Sequence, residues 1–432
     1  MKLKTLAIVC ASIAKGSVVI GSMAISGTAM AQTEVNFWYS GGTQPQQMMT
    51  KLIEEFNASQ DEYVIRGALQ GNYQETFQKL QAGMASRTAP EFVLVGASEA
   101  SSMENRGLTR DLRDFITDDF NYDDFIPAFR AQGTAEDGEV FGLPAYGTTQ
   151  VLYYNKAKLA EHGFTEADLA TWQGLAKVAE KVAVKDARGN TEYYGWEPMW
   201  GKDNLIDAAF SNGAKVISDD GKTVMIDSPE WVEVWESFRK WIHDDNVMRI
   251  HHGGQGWEYW YKTIDDVMKD NALGYTGSSG DQGDLDFTKL AATTQPGWGD
   301  HPAAPQAGSL MFVMPKGTDD KAAQGAFEFM EFYTSAANTA RWSMFTGYIP
   351  VRQSVNEVPE YQAFTKENPQ ALIPLKQATT ASVDFMDPTN GRIQDALSIA
   401  ADQVQIENIP AEKALKDAAK RAQRALDRAN RS

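Results

Sequence analysis

The sequence predicts an α/β protein built as two lobes, and three observations carry that expectation. From Val35 onward, short apolar runs alternate with amphipathic helical stretches, the pattern of a doubly wound sheet. The chain has 432 residues, whereas single hydrophobic cores stop growing near roughly 250–300 residues. No low-complexity linker and no repeat with a period of roughly 20–50 residues interrupts it, which suits lobes joined by crossing strands.

The first 31 residues have the composition of a signal peptide. Lys2 and Lys4 give a basic start, an apolar and small-residue stretch follows, and Ala29-Met30-Ala31 forms an A-x-A cleavage site before Gln32. Lys15 interrupts the apolar stretch, which argues against a membrane-spanning helix of about 20 apolar residues. The single cysteine, Cys10, follows Val9 and lies inside this segment, so a lipid-modified cysteine is not expected and the mature chain carries no thiol. Export to the periplasm follows.

Val35–Tyr39 reads as a strand, and Pro45 suits the first turn of a helix to Asn57 with Met48, Met49, Leu52, Ile53 and Phe56 at helical spacing. Residues 63–69 form a second strand, 73–84 a helix, and Phe92–Val95 a buried parallel strand. A break at Gly142-Leu143-Pro144 precedes a strand at 150–155, and the crossing between lobes is placed there. Helices follow at 156–162 and 166–184, then Trp-rich helices at 229–246 and 257–269 and a strand at 272–276. Residues 309–314 form a strand, 321–333 a helix, and 411–430 a closing helix with alanines and Leu415 and Leu426 inward. The lobes are accordingly expected at 32–144 plus about 306–348 and at 145–305 plus about 349–432.

The formal charge is −18, and losing Lys2, Lys4 and Lys15 with no acid takes the mature chain to −21. That balance excludes nucleic acid and anionic membrane surfaces as partners. The five histidines include no H-E-x-x-H, and His251 and His252 are adjacent, so on a strand they would point apart. Gly221-Lys222-Thr223 lacks the earlier glycine of a phosphate loop, since Val216 stands there. Asp119, Asn121 and Asp123 begin like a calcium loop, but Asp124 and Arg130 occupy the sixth and twelfth positions. No metal or cofactor is therefore expected.

Several segments resemble the family 1 extracellular solute-binding proteins, most closely their glycerol-3-phosphate-binding and carbohydrate-binding group. These are Phe37-Trp38-Tyr39-Ser40, Gly71-Asn72-Tyr73-Gln74 with Ala89-Pro90 downstream, Val151-Leu152-Tyr153-Tyr154-Asn155-Lys156 and Thr346-Gly347-Tyr348-Ile349-Pro350-Val351. Their order and spacing match over nearly the whole mature chain. The resemblance implies the type II, Venus-flytrap form of the periplasmic-binding-protein fold, with a hinge between lobes and closure over a small sugar or polyol. It also implies delivery to the membrane subunits of an ABC importer by a monomer that is not an enzyme. Its ligand-binding positions map to Tyr39 and Ser40 at the end of the opening strand, Tyr73, Thr148, Trp200, the Ser278-Ser279 pair, Gly308, Tyr348 and Arg392. One departure bears on the ligand. The glycerol-phosphate group carries a glutamate just after the third strand that binds ligand hydroxyls, and Ala97 stands there instead, which argues against glycerol phosphate itself.

The residue chemistry agrees with a polyol site. Hydroxyls both donate and accept, so fixed Tyr, Ser and Thr partners and flat aromatic walls suit them. Arg392 offers a planar fork to a phosphate, a sulfonate or paired hydroxyls, or else a surface ion pair. Trp257 and Trp260, three apart, share one helix face and read as packing aromatics, with the cleft rim as the alternative. The competing function is an exported glycan-active enzyme such as a glycoside hydrolase, because 58 acids leave many carboxylate pairs.

Overall fold

A computed structural model describes residues 32–431; the signal-peptide expectation, with Cys10, lies outside the described residues. Eleven strands are present in chain order among them. They are β1 (Thr33–Tyr39), β2 (Tyr63–Leu69), β3 (Phe92–Gly96), β4 (Leu143–Asn155), β5 (Val184–Lys185), β6 (Thr191–Tyr193), β7 (Glu197–Pro198), β8 (Gly274–Ser278), β9 (Leu290–Thr293), β10 (Gln306–Val313) and β11 (Ser382–Val383). The main sheet runs β2-β1-β3-β10-β4-β8-β7, with β11 beside β10 and β9 beside β4; β5 and β6 form a separate ribbon. Strands β1, β2 and β3 are parallel, and β10 runs antiparallel to both β3 and β4.

Two large cores hang on this sheet. The first gathers Val35, Phe37, Phe92, Leu94, Tyr146 and Phe312 around helices α1 (Thr43–Ser59) and, later in the chain, Asp320–Thr334 and Ala336–Thr346. The buried face of α1 is Met48, Met49, Leu52, Ile53 and Phe56, the helical stripe expected from its spacing. Helix α2 (Tyr73–Ser86) starts because the Asn72 side chain accepts the Glu75 amide at 2.8 Å, and it stops at Arg87 in the left-handed region (φ 61°). Helix α3 (Ala97–Glu104) follows β3 directly.

The second core is built differently. It contains Trp172, Trp196, Trp231, Trp235 and a run of small residues from the last two helices, Arg392–Gln405 and Ala411–Ala429. Ala396, Ala400 and Ala401 of the first of these and Ala411, Ala414, Ala418 and Ala422 of the second are buried. Small side chains let two helix backbones approach closely. Strand β4 serves both cores: Leu143, Ala145 and Tyr146 belong to the first, and Leu152 and Tyr154 to the second.

The structure corrects three expected boundaries. The break expected at Gly142-Leu143-Pro144 is instead the entry to β4, which begins at Leu143 and pairs with β10; the register slips between Leu310 and Met311, where Pro144, which has no N–H, is accommodated. The helix expected at 166–184 is two pieces, a 3-10 turn at Glu166–Leu169 and a helix at Trp172–Val182. Thr171 separates them, because its hydroxyl caps the second piece by accepting the Gly174 amide at 3.0 Å. The helix expected at 229–246 is α-helical only over Pro229–Arg239 and closes with a π turn at Lys240–Asp244. Among the described residues no helix is long and apolar enough to cross a membrane.

Candidate functional site

Where β4 passes from one core to the other, a cleft of about 950 Å³ opens, lined by residues of both. On the side of the first core, Tyr73 at the start of α2 hydrogen-bonds through its hydroxyl to that of Tyr146 at 2.8 Å. The Tyr146 ring lies 4.4 Å from that of Tyr348. Burial raises all three phenols well above their ordinary range, so they act here as neutral donors and acceptors. Tyr348 lies over Gly280, where an added Cβ would come within 2.2 Å of its ring, so that glycine is what admits the tyrosine. Gly308 and Thr148 are register partners across β10 and β4. A Cβ at Gly308 would meet the Asp384 carboxylate at 2.9 Å, so the bare backbone there lets the acid lie against the strand.

On the side of the second core the wall is aromatic. Trp200 meets Tyr259 edge-on at 4.9 Å, Tyr259 meets Trp260, and Trp260 meets Trp257. Tyr73 reaches across to Trp257 at 5.8 Å. Trp200 donates its indole N–H to Asp402 (2.7 Å) and Trp260 to Asp281 (2.8 Å), while the N–H of Trp257 is buried and has no partner. Gln394, also in the lining, has an unpartnered side-chain carbonyl. Arg392 is exposed at the margin and forms no ion pair among the described residues. The amides of Ile393 and Gln394 behind it already donate to the Asp387 carboxylate at 2.9 and 3.0 Å.

The structure thus brings Tyr73, Thr148, Trp200, Ser278, Gly308, Tyr348 and Arg392 together in one cleft. It does not bring Tyr39, Ser40 or Ser279 into the lining. Tyr39 is buried because strand alternation turns it toward α1, where its hydroxyl lies 3.4 Å from that of Thr50 and its ring stacks near Phe37. Ser40 and Ser279 are buried with hydroxyls that have no partner.

Residues 51–371 match the bacterial extracellular solute-binding protein family. The chain belongs to this family. As a solute-binding protein it is similar to the sn-glycerol-3-phosphate-binding periplasmic protein UgpB of Yersinia enterocolitica, at 26% identity over 82% of each chain. Among solved structures it resembles UgpB of Mycobacterium tuberculosis in complex with glycerophosphocholine (TM-score 0.79, 18% identity, 92% of this chain and 99% of that one). It also resembles the GacH receptor of Streptomyces glaucescens, solved unliganded and with acarbose (TM-score 0.78, 15% identity, 92% and 99%). These likenesses fix the two-lobed periplasmic-binding-protein fold.

Within this solute-binding protein the cleft is acidic. Seven carboxylates line it against three cations, Arg106, Lys202 and Arg392. Burial pushes Asp281 up to about 8, although the N–H of Trp260 and the hydroxyl of Tyr275 donate to it and oppose the rise. Burial also takes Asp207 to about 7, against hydrogen bonds from Gln306 and Gln295. Asp384 rises to about 6, through burial and then the nearby charge of Glu99. Lys202 is ion-paired to Asp203 at 2.9 Å. Burial works against its charge, but Asp203, Glu99 and Asp384 hold its ammonium above its ordinary value.

Sequence reasoning missed Glu99, Lys202 and Asp384 and left Trp257 and Trp260 open between packing and rim. For Glu99 the signal was at hand. The carboxylate sought just after β3 is missing at Ala97, but it is supplied within the first turn of α3, where Glu99 folds back against Gly96 and lines the cleft.

Proposed function

We propose that the protein is the substrate-binding component of an ABC importer and that its ligand is a polyhydroxylated molecule with no net negative charge, a sugar or a glycerol-derived polyol. The observation that carries this reading is the cleft lining: aromatic faces, phenol and threonine hydroxyls, an unpartnered indole N–H and an unpartnered amide carbonyl, set among seven carboxylates. Aromatic planes suit the C–H faces of a sugar, and the polar atoms suit its hydroxyls. A dianionic phosphate would find only three cations in the lining, of which Lys202 is already paired with Asp203, and the helix start beside Arg392 already has two amides committed to Asp387. Glycerophosphocholine, a zwitterion found in the Mycobacterium tuberculosis structure, and acarbose, found in the receptor structure, fall within this class, whereas glycerol 3-phosphate, for which the Yersinia enterocolitica relative is named, is the dianion this lining disfavours.

Ligand contacts from both lobes exist together only when the cleft is shut, so binding shifts the population toward closure. The lobes divide within β4, near Thr149, and at the start of β10. The chain acts as a monomer in the periplasm, exported by its first 31 residues, and does not transform what it holds.

A thermal-shift and calorimetric screen of the mature protein tests this against maltose-type disaccharides, glycerophosphocholine and glycerol 3-phosphate. An uncharged or zwitterionic member is expected to bind at least about tenfold more tightly than glycerol 3-phosphate, roughly 1.4 kcal/mol. Tightest binding by the dianion would overturn the charge argument. Release of a cleavage product from any saccharide would replace the transport reading with the glycan-active enzyme.

A further inference from the structure

Away from the cleft lining, three side chains from distant parts of the second lobe converge: Glu197 on β7, His251 on the segment after the π turn, and Asp266 on the helix Glu258–Met268. One ligand atom of each lies within 4.8 Å of the other two. His251 Nε2 is 2.6 Å from Asp266 Oδ2 and 3.8 Å from Glu197 Oε2. Arg249 donates to Glu197 Oε1 at 2.9 Å through Nε and also to Asp266 Oδ2, and Asn271 donates to Asp266 Oδ1 at 3.1 Å. Every oxygen of the two acids is therefore engaged except one. Glu197 Oε2 is buried, on a side chain that is 0% exposed, and has no hydrogen-bond partner.

We propose that this cluster is a binding site for one divalent transition metal ion of the zinc type, held by Glu197 Oε2, His251 Nε2 and Asp266. An orphaned carboxylate oxygen in a buried position costs free energy that a hydrogen bond or a cation would recover. The neighbouring guanidinium makes no hydrogen bond to it, since its Nε and Nη2 donate to the other oxygen of Glu197 and to Asp266. One imidazole with two carboxylates is a donor set zinc accepts, with bonds of about 2.0–2.2 Å and a fourth position left to water. Two such bonds at the tetrahedral angle separate their donor atoms by about 3.4 Å, close to the 3.8 Å between His251 Nε2 and Glu197 Oε2, while the 2.6 Å between His251 Nε2 and Asp266 Oδ2 is the hydrogen bond that the ion replaces and widens.

The second shell is in place as well, because Arg249 and Asn271 fix the carboxylates. His251 and Asp266 are 23% and 18% exposed, which leaves a way in from solvent. The ion takes the place of the hydrogen on His251 Nε2. A neutral ring moves that hydrogen to Nδ1, an imidazolium releases one proton, and a protonated Glu197 carboxyl releases one more. Once bound, the ion ties β7 to the helix that carries Tyr259, Trp260 and Tyr261, so it braces the aromatic wall without touching the solute.

Tag-free mature protein, stripped with chelator and returned to pH 8, would be titrated with Zn2+ by calorimetry and with Co2+ by visible absorption. The expected result is one ion per chain, a melting temperature raised by Zn2+ but not by Mg2+, and Co2+ bands of low coordination number. His251→Ala, a change at a partly exposed residue, should weaken uptake by at least roughly 100-fold, since loss of a supporting partner alone costs roughly 10–100-fold. Glu197→Gln should do the same, and His301→Ala should leave binding unchanged. No one-to-one uptake at pH 8, or uptake that survives His251→Ala, would overturn the site even if Glu197→Gln proves too unstable to purify.

Discussion

On the side of the first core the cleft wall is formed by the phenols Tyr73 and Tyr348, backed by buried Tyr146, which hydrogen-bonds to Tyr73 at 2.8 Å and packs its ring at a tilt on that of Tyr348. On the side of the second core it is a row of indole and phenol faces whose edges meet at 4.9–6.1 Å, backed by carboxylates. The first wall is held by contacts among its own phenols, so it costs little to organise on binding. The second wall contains an unpartnered donor at Trp257 and crowded acids whose charge is suppressed by burial. The two sides divide the labour: one offers fixed geometry, and the other offers adhesive area with a donor left open for a partner.

That contrast has a pH signature, which is the largest effect expected. Asp281, Asp207 and Asp384 have folded pKa values of about 8, 7 and 6, all raised chiefly by burial. A raised carboxyl favours the folded state below its unfolded value, and that advantage is lost as pH climbs through the folded value. The protein without added solute should therefore lose stability progressively between about pH 4 and pH 8. The phenols of the first wall titrate only above that window. Asp281→Asn keeps an acceptor for Trp260 and removes the ionisation, so its melting temperature should fall less over that range than that of the unaltered protein. Parallel curves for the two proteins would show that Asp281 does not carry the effect.

Next in size is the adhesive area itself. Trp200→Ala removes a flat face from the cleft while Asp402, its N–H partner, keeps solvent access. Calorimetry with the tightest ligand of the screen should show affinity falling about 100-fold, roughly 2–3 kcal/mol, as for a buried aromatic anchor. Trp200→Phe should recover most of the loss. An unchanged affinity in Trp200→Ala would leave the second wall as scaffold and undo the comparison.

Much of the architecture was legible because it is local. The α1 stripe from Met48 to Phe56 and the apolar run of β3 announce themselves by period, and both stand where expected. The split at Thr171 was not legible, since a threonine inside a helical pattern gives the same spacing whether it is embedded or caps a new helix. Nor was the full length of β4, because Pro144 reads as a breaker until its partner strand supplies a slip in register. In the cleft, residues with a motif around them, Tyr73, Ser278 and Tyr348, could be placed. Lys202 and Asp384 could not, for they meet only after the chain has crossed between lobes. His251 shows the same limit most sharply: adjacency to His252 made it look inert, whereas its partners lie 54 positions before it at Glu197 and 15 after it at Asp266.

The smallest effect tests the open donor. Trp257 meets Tyr73 across the cleft at 5.8 Å and Trp260 at 5.7 Å, so replacing it with phenylalanine keeps a flat ring in contact with both. What disappears is the indole N–H, which is buried and has no partner in the protein. Removing an unsatisfied buried donor relieves the free protein, so its melting temperature should hold or rise slightly. If a solute hydroxyl accepts from that N–H on closure, Trp257→Phe should weaken binding about fivefold, roughly 1 kcal/mol, through faster release. Stability and affinity would then move in opposite directions at one position, which a packing residue does not do. A variant that loses both together would return Trp257 to the core, and the second wall would then lack the unsatisfied donor that sets it apart from the first.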